Sequence, residues 1–584
     1  MNWNLTDIFK NKEEYQKMKE DLLKNLDKIE QYKGKLCNSA QNLYECYKID
    51  ELALEQFEKV YAYAMLTYHL DMSNQESIKL FKDAESLGTV FSTKTAFISP
   101  EITYADENKI KEYLETMPEL EPYKRDILDI LELKKHTLSQ EAEDILANYS
   151  EVFSAPENTF DILTNAEFKF GTLINENGEE VELTDSNYSV YLRSKDEKVR
   201  KEAFNLMYKK YSEYINTIAE LYLANVKTGV VTSKLRNYKS SLEKAVIHDD
   251  ASLKVYDALI EAIDENIESN YNFLELKKKL LKQQEMHMYD LYVNPFEEGE
   301  DQITFEEAKN EVLEALSILG KEYIDLLKTA FNNNWIDVEA KPNKRGGAYS
   351  MGVYGVHPFV LTNFVNSKRD VSTIAHELGH SMHTYYSNAN QNIINANYTI
   401  MVAEVASTVN ELLLAHYQIE KEQDKRKKAE ILYELLEMIR ATLFRQSMFA
   451  EFEKNVHEKE ENGEALASED LNEIYYNLNK KYFGTDVKID EQIQYEWARI
   501  PHFYSDFYVY KYATGISAAI VISENIIKQG EPYVKRYIEM LKQGCAKKSI
   551  ELLKMVDVNL ESKETYKNAI KFYKQKTEEL EKLI

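Results

Sequence analysis

Apolar residues recur three and four positions apart through most of the chain, with Lys and Glu between them. That spacing predicts amphipathic helices. It is plain in Glu14–Gln31, Glu51–Asp71 and Ser139–Asn148, so residues 1 to about 170 read as successive helices. Breaks are expected at Ser73-Asn-Gln and at Ser99-Pro100. One β feature follows: Asn177-Gly178 lies between Leu173-Ile174 and Val181/Leu183, which predicts a hairpin with positive φ at both turn residues. Helical spacing resumes at Asp196. Between Lys341 and Ser367 the texture changes, with Gly346, Gly347, Gly352 and Gly355 close together and the run Pro358-Phe-Val-Leu-Thr-Asn-Phe behind them. Two or three short strands beside a helix are expected there. After Arg369 the helical pattern runs nearly to the end, with breaks expected near Gly463, Gly484, Gly515 and Gly530. No fixed-period repeat supports a solenoid.

Composition sharpens the fold class. The chain holds 17 glycines and 9 prolines in 584 residues, far below the roughly 12% of an average protein. Sandwiches, propellers and other turn-rich β architectures are disfavoured, and the expectation is a mainly α protein with a small sheet. The formal net charge of -28 repels phosphate backbones and anionic surfaces, so neither nucleic acid nor membrane is an expected partner. Cys37, Cys46 and Cys545 form no disulfide framework and no C-x-x-C pair. The polar start lacks the apolar core of a signal peptide, and the weakly polar stretch Ala513–Ser523 is too short to span a bilayer. A cytoplasmic protein is expected, with its oligomeric state left open.

The segment that carries chemistry is DVSTIAHELGHSMHTYYS, with His376-Glu377-Leu-Gly-His380 inside it. Asp370 is one choice of N-cap; Ser367 is the other, with Asp370 in the reciprocal position of a capping box. On a helix His376 and His380 project from one face a turn apart, as two corners of a zinc tetrahedron require. Glu377 is rotated about 100° from His376 and flanks the ion without binding it. A third ligand is needed. His383 shares the histidine face but sits nearly a turn further along a straight helix, where three ligands in line do not reach one ion at about 2 Å. Glu404, on a second predicted helix 24 residues beyond His380, is favoured. His383 is then a residue that supports the ligands or faces substrate, or the alternative ligand. Ser407, one turn after Glu404, is placed to support it by hydrogen bonding or to serve as plain surface. His357, before Pro358, reads as structural.

HELGHSMH followed by VAEVAST resembles the M3 family of zinc metallopeptidases, and within it oligoendopeptidase F. The likeness extends through WNLTDIF, HPFVLTNF, RQSMFAEFE (Arg445 to Glu453) and IPHFYSDFYVYKYATG (Ile500 to Gly515). It implies a helical ellipsoid split by a deep channel, with a small β-sheet beside the zinc-binding helix. It also implies one zinc ion on His376, His380 and Glu404, Glu377 as general base, and short peptides as substrates. A His and tyrosines of the C-terminal region bind substrate and oxyanion in that family, which points to His502, Tyr508 and Tyr510. The organisation expected is an N-terminal helical region (1–110), an oligopeptidase F-like lobe ending in the hairpin (111–190) and an M3-like catalytic domain (191–584).

The reaction expected is hydrolysis of internal peptide bonds by zinc-activated water. No G-x-S-x-G accompanies it. Gly346-Gly-Ala-Tyr-Ser reads either as an edge strand that a peptide extends by β-augmentation or as an ordinary glycine-rich turn. The alternatives are a metallo-exopeptidase, a carboxypeptidase or aminopeptidase, although no G-A-M-E-N segment is present, and a non-catalytic helical binding protein.

Overall fold

The computed structural model describes residues 3–296 and 302–584. Among the described residues helices dominate, and the strands form two two-stranded sheets and one of three. The strands are β1 (Thr172–Ile174), β2 (Glu180–Glu182), β3 (Met286–His287), β4 (Ile336–Glu339), β5 (Tyr349–Met351), β6 (Phe359–Phe364) and β7 (Val487–Lys488). The chain forms two compact units. The first takes Met1–Thr137, Glu300–Glu420 and Ala519–Val558; the second takes Leu138–Gly299, Lys421–Ala518 and Asn559–Ile584. No helix among the described residues is long and apolar enough to cross a membrane. Cys37, Cys46 and Cys545 form no disulfide among the described residues.

In the first unit the helices Lys12–Glu30, Ala40–Leu70 and Gln75–Thr95 pack side by side. Their heptad-like faces bury Leu22, Leu26, Ile29, Leu43, Val60 and Leu87 in one cluster. The three-stranded sheet has β6 at its centre, parallel to β4 and antiparallel to β5. Phe359, Val360 and Leu361 of β6 are buried. Lys344, itself inside, is paired with Asp337 and donates to the carbonyls of Glu339 (2.7 Å) and Thr362 (2.6 Å), stapling β4 to β6. This leaves β5 as an edge strand. In the second unit β1 and β2 form the expected hairpin and β3 pairs with β7.

Several local readings shift. In the hairpin only Gly178 has positive φ (79°); Asn175 to Gly178 form a turn closed by Gly178 N–H on the Asn175 carbonyl (3.0 Å), and Asn175 N–H bonds Glu179 (2.9 Å). That is a three-residue loop with a glycine bulge rather than a two-residue turn. Pro100 does not break a helix: it lies in the first turn of Ile98–Tyr104, where its missing N–H costs nothing. Gly515 lies inside helix Tyr510–Gln529, whereas Gly463, Gly484 and Gly530 do mark ends. The edge strand starts at Tyr349, leaving Gly346 to Ala348 outside it.

Candidate metal centre

The H-E-x-x-H segment sits mid-way along the helix Lys368–Asn390, called here the motif helix. Ser367 is its cap. The Asp370 carboxylate accepts the Ser367 N–H (2.8 Å) and the Val365 N–H (3.0 Å), which fixes the entry of the chain from β6. His376 and His380 project one turn apart with ring centroids 4.9 Å apart and planes at 81°.

A second helix, Ile400–Lys421, crosses the motif helix at Gly379. A Cβ on Gly379 would lie 2.5 Å from the Ser407 Cα and 2.7 Å from the Ala406 carbonyl oxygen, so only glycine lets the two backbones touch here. Asn410, wholly buried, donates to the Ala375 carbonyl (3.0 Å) and pins the crossing. The contact carries Glu404 over the histidines. Its Oε2 lies 3.5 Å from His376 Nε2 and 3.7 Å from His380 Nε2. All three ligand atoms lie within 4.8 Å of one another. The corners of a zinc tetrahedron with bonds of 2.0–2.1 Å are about 3.3 Å apart. Among the described residues this is the one His/Cys/Asp/Glu cluster with such geometry. Ser407 bonds the Glu404 carbonyl (3.0 Å) and its Oε2 (3.3 Å).

The far side of each imidazole is also engaged. His376 Nδ1 meets Glu411 Oε2 at 3.0 Å, and the other Glu411 oxygen accepts from the Ser372 hydroxyl (3.0 Å). His380 bonds the Ala403 backbone. Both rings therefore turn Nε2 toward Glu404, the arrangement that orients metal-binding histidines. Burial pulls His376 down, but the Glu411 hydrogen bond and charge, with Glu377 and Glu404 behind them, reverse this and hold it up at about 9. Burial and then the His376 charge drop His380 to about 4. The surrounding acidic side chains thus favour positive charge at His376, where a dication fits once that proton leaves. Two nitrogens and one oxygen with a fourth corner open are a zinc-type donor set.

Glu377 is not part of the triad of ligands. Burial, and next the charges of Glu404 and Glu411 against that of His376, push its carboxyl up to about 7. It is bonded by the Ser350 backbone of β5. The Ser350 hydroxyl meets that of Ser381 (2.8 Å), which also donates to the Glu377 carbonyl (2.9 Å), so the edge strand is tied to the motif helix beside the site. His383 points elsewhere: its ring stacks on Tyr398 at 3.7 Å and 6°, and burial, then His380, drop it to about 3. His357 stacks on Trp335 (4.7 Å, 2°).

In the second unit, His502 is exposed and lies 6.0 Å from both Tyr508 and Tyr512, ring to ring. Tyr508 is partly exposed. Tyr510 is fully buried and its hydroxyl donates to Asp249 (2.8 Å). The sequence reading passes over Glu411, Asn410, Ser381 and Tyr398. Glu411 carried a signal, since it follows Glu404 by two helical turns on the same face.

The description "Peptidase family M3" matches residues 190–572, and "Oligopeptidase F" matches residues 101–170. Oligopeptidase PepF of Bacillus subtilis is 40% identical over 586 residues, covering 100% of this chain and 87% of that protein. A crystal structure from Chlamydophila abortus superposes with TM-score 0.93 at 33% identity, covering 100% of this chain and 98% of that one. Oligoendopeptidase-F from Enterococcus faecium superposes with TM-score 0.75 at 32% identity, covering 98% and 99%. The likeness runs the length of the chain and includes the segment that brings His376, His380 and Glu404 together: this protein belongs to peptidase family M3, in its oligoendopeptidase F group, and is a metalloendopeptidase.

Proposed function

We propose that the chain is a zinc-dependent oligoendopeptidase that hydrolyses internal bonds of short peptides, with Glu377 as general base. The observation that carries this reading is the convergence of His376 Nε2, His380 Nε2 and Glu404 Oε2 with the Glu377 carboxyl beside them. These three residues would hold the ion. A zinc ion in such a donor set supplies Lewis acidity to a peptide carbonyl and makes water nucleophilic near neutral pH.

Glu377 takes the proton of the attacking water on its carboxylate and delivers it to the leaving amine nitrogen. A carboxylate in this position acts as base toward the water and, once protonated, as acid toward the amine. β5, at the edge of its sheet, lies beside this group and suits a peptide backbone, which pairs by main-chain bonds and tolerates many side chains. His502 and Tyr508 are the donors we assign to substrate and oxyanion. Tyr510 joins them only by giving up its bond to Asp249.

The test is Glu377→Gln in the zinc-loaded enzyme, assayed on an end-blocked peptide with a fluorophore and quencher. Zinc content is expected to stay at one per chain while hydrolysis falls by about 10²–10⁴-fold. Retained activity would reassign the base.

A further inference from the structure

The turn that presents Tyr508 is built against backbone preference. The Tyr508 N–H donates to the Ser505 carbonyl (3.1 Å), closing a four-residue turn. Its third residue, Phe507, has φ 55°. That position favours glycine or asparagine, and a bulky aromatic there is strained. Such strain persists only where the surroundings over-determine it, and it gathers at functional sites.

The surroundings here are specific. Glu453 lies on helix Arg445–Glu461 and is fully buried. Its Oε1 accepts the Phe507 N–H at 2.9 Å, and its Oε2 has no hydrogen-bond partner among the described residues. The Phe507 ring is clamped between His457 (4.4 Å) and Tyr256 (6.0 Å). Asp506, the second residue of the turn, accepts from Asn225 Nδ2 (3.0 Å), and Gly229 leaves room for it, since a Cβ there would lie 2.1 Å from Asp506 Oδ2. Both central residues are therefore held by side chains from neighbouring helices, the fully buried Glu453 and the half-buried Asn225.

We infer that Glu453 is a positioning residue for peptide hydrolysis: by holding the N–H of left-handed Phe507, it fixes the direction in which Tyr508, with His502 beside it, meets the peptide. The inference rests on the reading of Tyr508 and His502 as substrate donors. Burial pushes the Glu453 carboxyl well above its ordinary value. Its neutral form still accepts the N–H through the carbonyl oxygen, so glutamine reproduces the bond and leucine removes it.

Four zinc-loaded enzymes are compared with the parent on the quenched peptide: Tyr508→Phe, Glu453→Leu, Glu453→Gln and the double variant Glu453→Leu/Tyr508→Phe. Tyr508→Phe and Glu453→Leu are each expected to lower kcat about tenfold or more with KM nearly unchanged, the mark of an interaction made in the transition state. Glu453→Gln is expected to stay within about threefold of the parent. The double variant should be no more than about twofold below Tyr508→Phe, since Glu453 acts through Tyr508. A parent-like Glu453→Leu, or a double variant showing the product of both losses, overturns the inference while leaving the role of Tyr508 intact. A parent-like Tyr508→Phe removes the substrate reading itself, and the inference with it. Should Glu453→Leu not fold, Glu453→Asp, one methylene short of the amide, replaces it and must show the same loss.

Discussion

Each of the three residues proposed to hold the ion is itself held by a group outside that set. His376 is held by Glu411, His380 by the Ala403 backbone and Glu404 by Ser407. Glu411 matters most because it contributes charge as well as direction, and it is the partner that turns His376 Nε2 toward Glu404. Glu411→Gln keeps the shape and the bond to Ser372 but loses the negative charge. Zinc affinity, measured by competition with a chromophoric chelator, is expected to fall about 10–100-fold. Unchanged affinity would show that His376 does not depend on Glu411. The motif residues were legible because a fixed spacing on a helix dictates which side chains share a face. Glu411 was legible only once Glu404 was accepted as a ligand. The contact of His383 with Tyr398 was not legible, because it depends on where a second segment comes to lie.

At the scale of elements, the centre is a crossing of two helices, and the crossing depends on one missing side chain. Helix starts are marked by local polar residues: the break expected at Ser73-Asn-Gln is where Asn74 caps Gln75–Thr95, and of the two caps the sequence offers for the motif helix, Asp370 and Ser367, the structure uses Ser367. Interior Gly515 misled for a related reason: a glycine in a helical pattern reads as a break unless its packing is known. Gly379 is the opposite case, an interior glycine whose reason is the second backbone. Gly379→Ala separates two opposed effects. Alanine raises helix propensity by about 1 kcal/mol. A Cβ 2.5 Å from the Ser407 Cα forces the helices apart, at about 1–3 kcal/mol. The clash is with backbone, which yields least, so it wins. The variant is expected to melt lower than the parent without metal and to lose at least about tenfold in zinc affinity, as Glu404 is carried away with its helix. A higher melting temperature with unchanged zinc affinity would mean that the crossing tolerates the methyl.

At the scale of the whole molecule, helical class followed from the scarcity of glycine and proline, but the division of the chain did not. Each compact unit is assembled from three separate stretches, and local composition does not report which distant stretches condense together. The expected linear scheme of 1–110, 111–190 and 191–584 follows resemblance along the chain, whereas the units follow contacts in space. This has a measurable consequence. His376, Glu377, His380, Glu404 and Glu411 all belong to the unit made of Met1–Thr137, Glu300–Glu420 and Ala519–Val558. A ligand that binds only the folded form stabilises by about 2.7 kcal/mol at 100 times its dissociation constant. It does so first in the cooperative unit that holds it. Removing zinc with a chelator should therefore speed amide hydrogen exchange in that unit, most strongly in the motif helix and in Ile400–Lys421. Exchange in Leu138–Gly299, Lys421–Ala518 and Asn559–Ile584 should change little. Equal loss of protection in both sets of segments would show that the chain responds to the metal as one cooperative body.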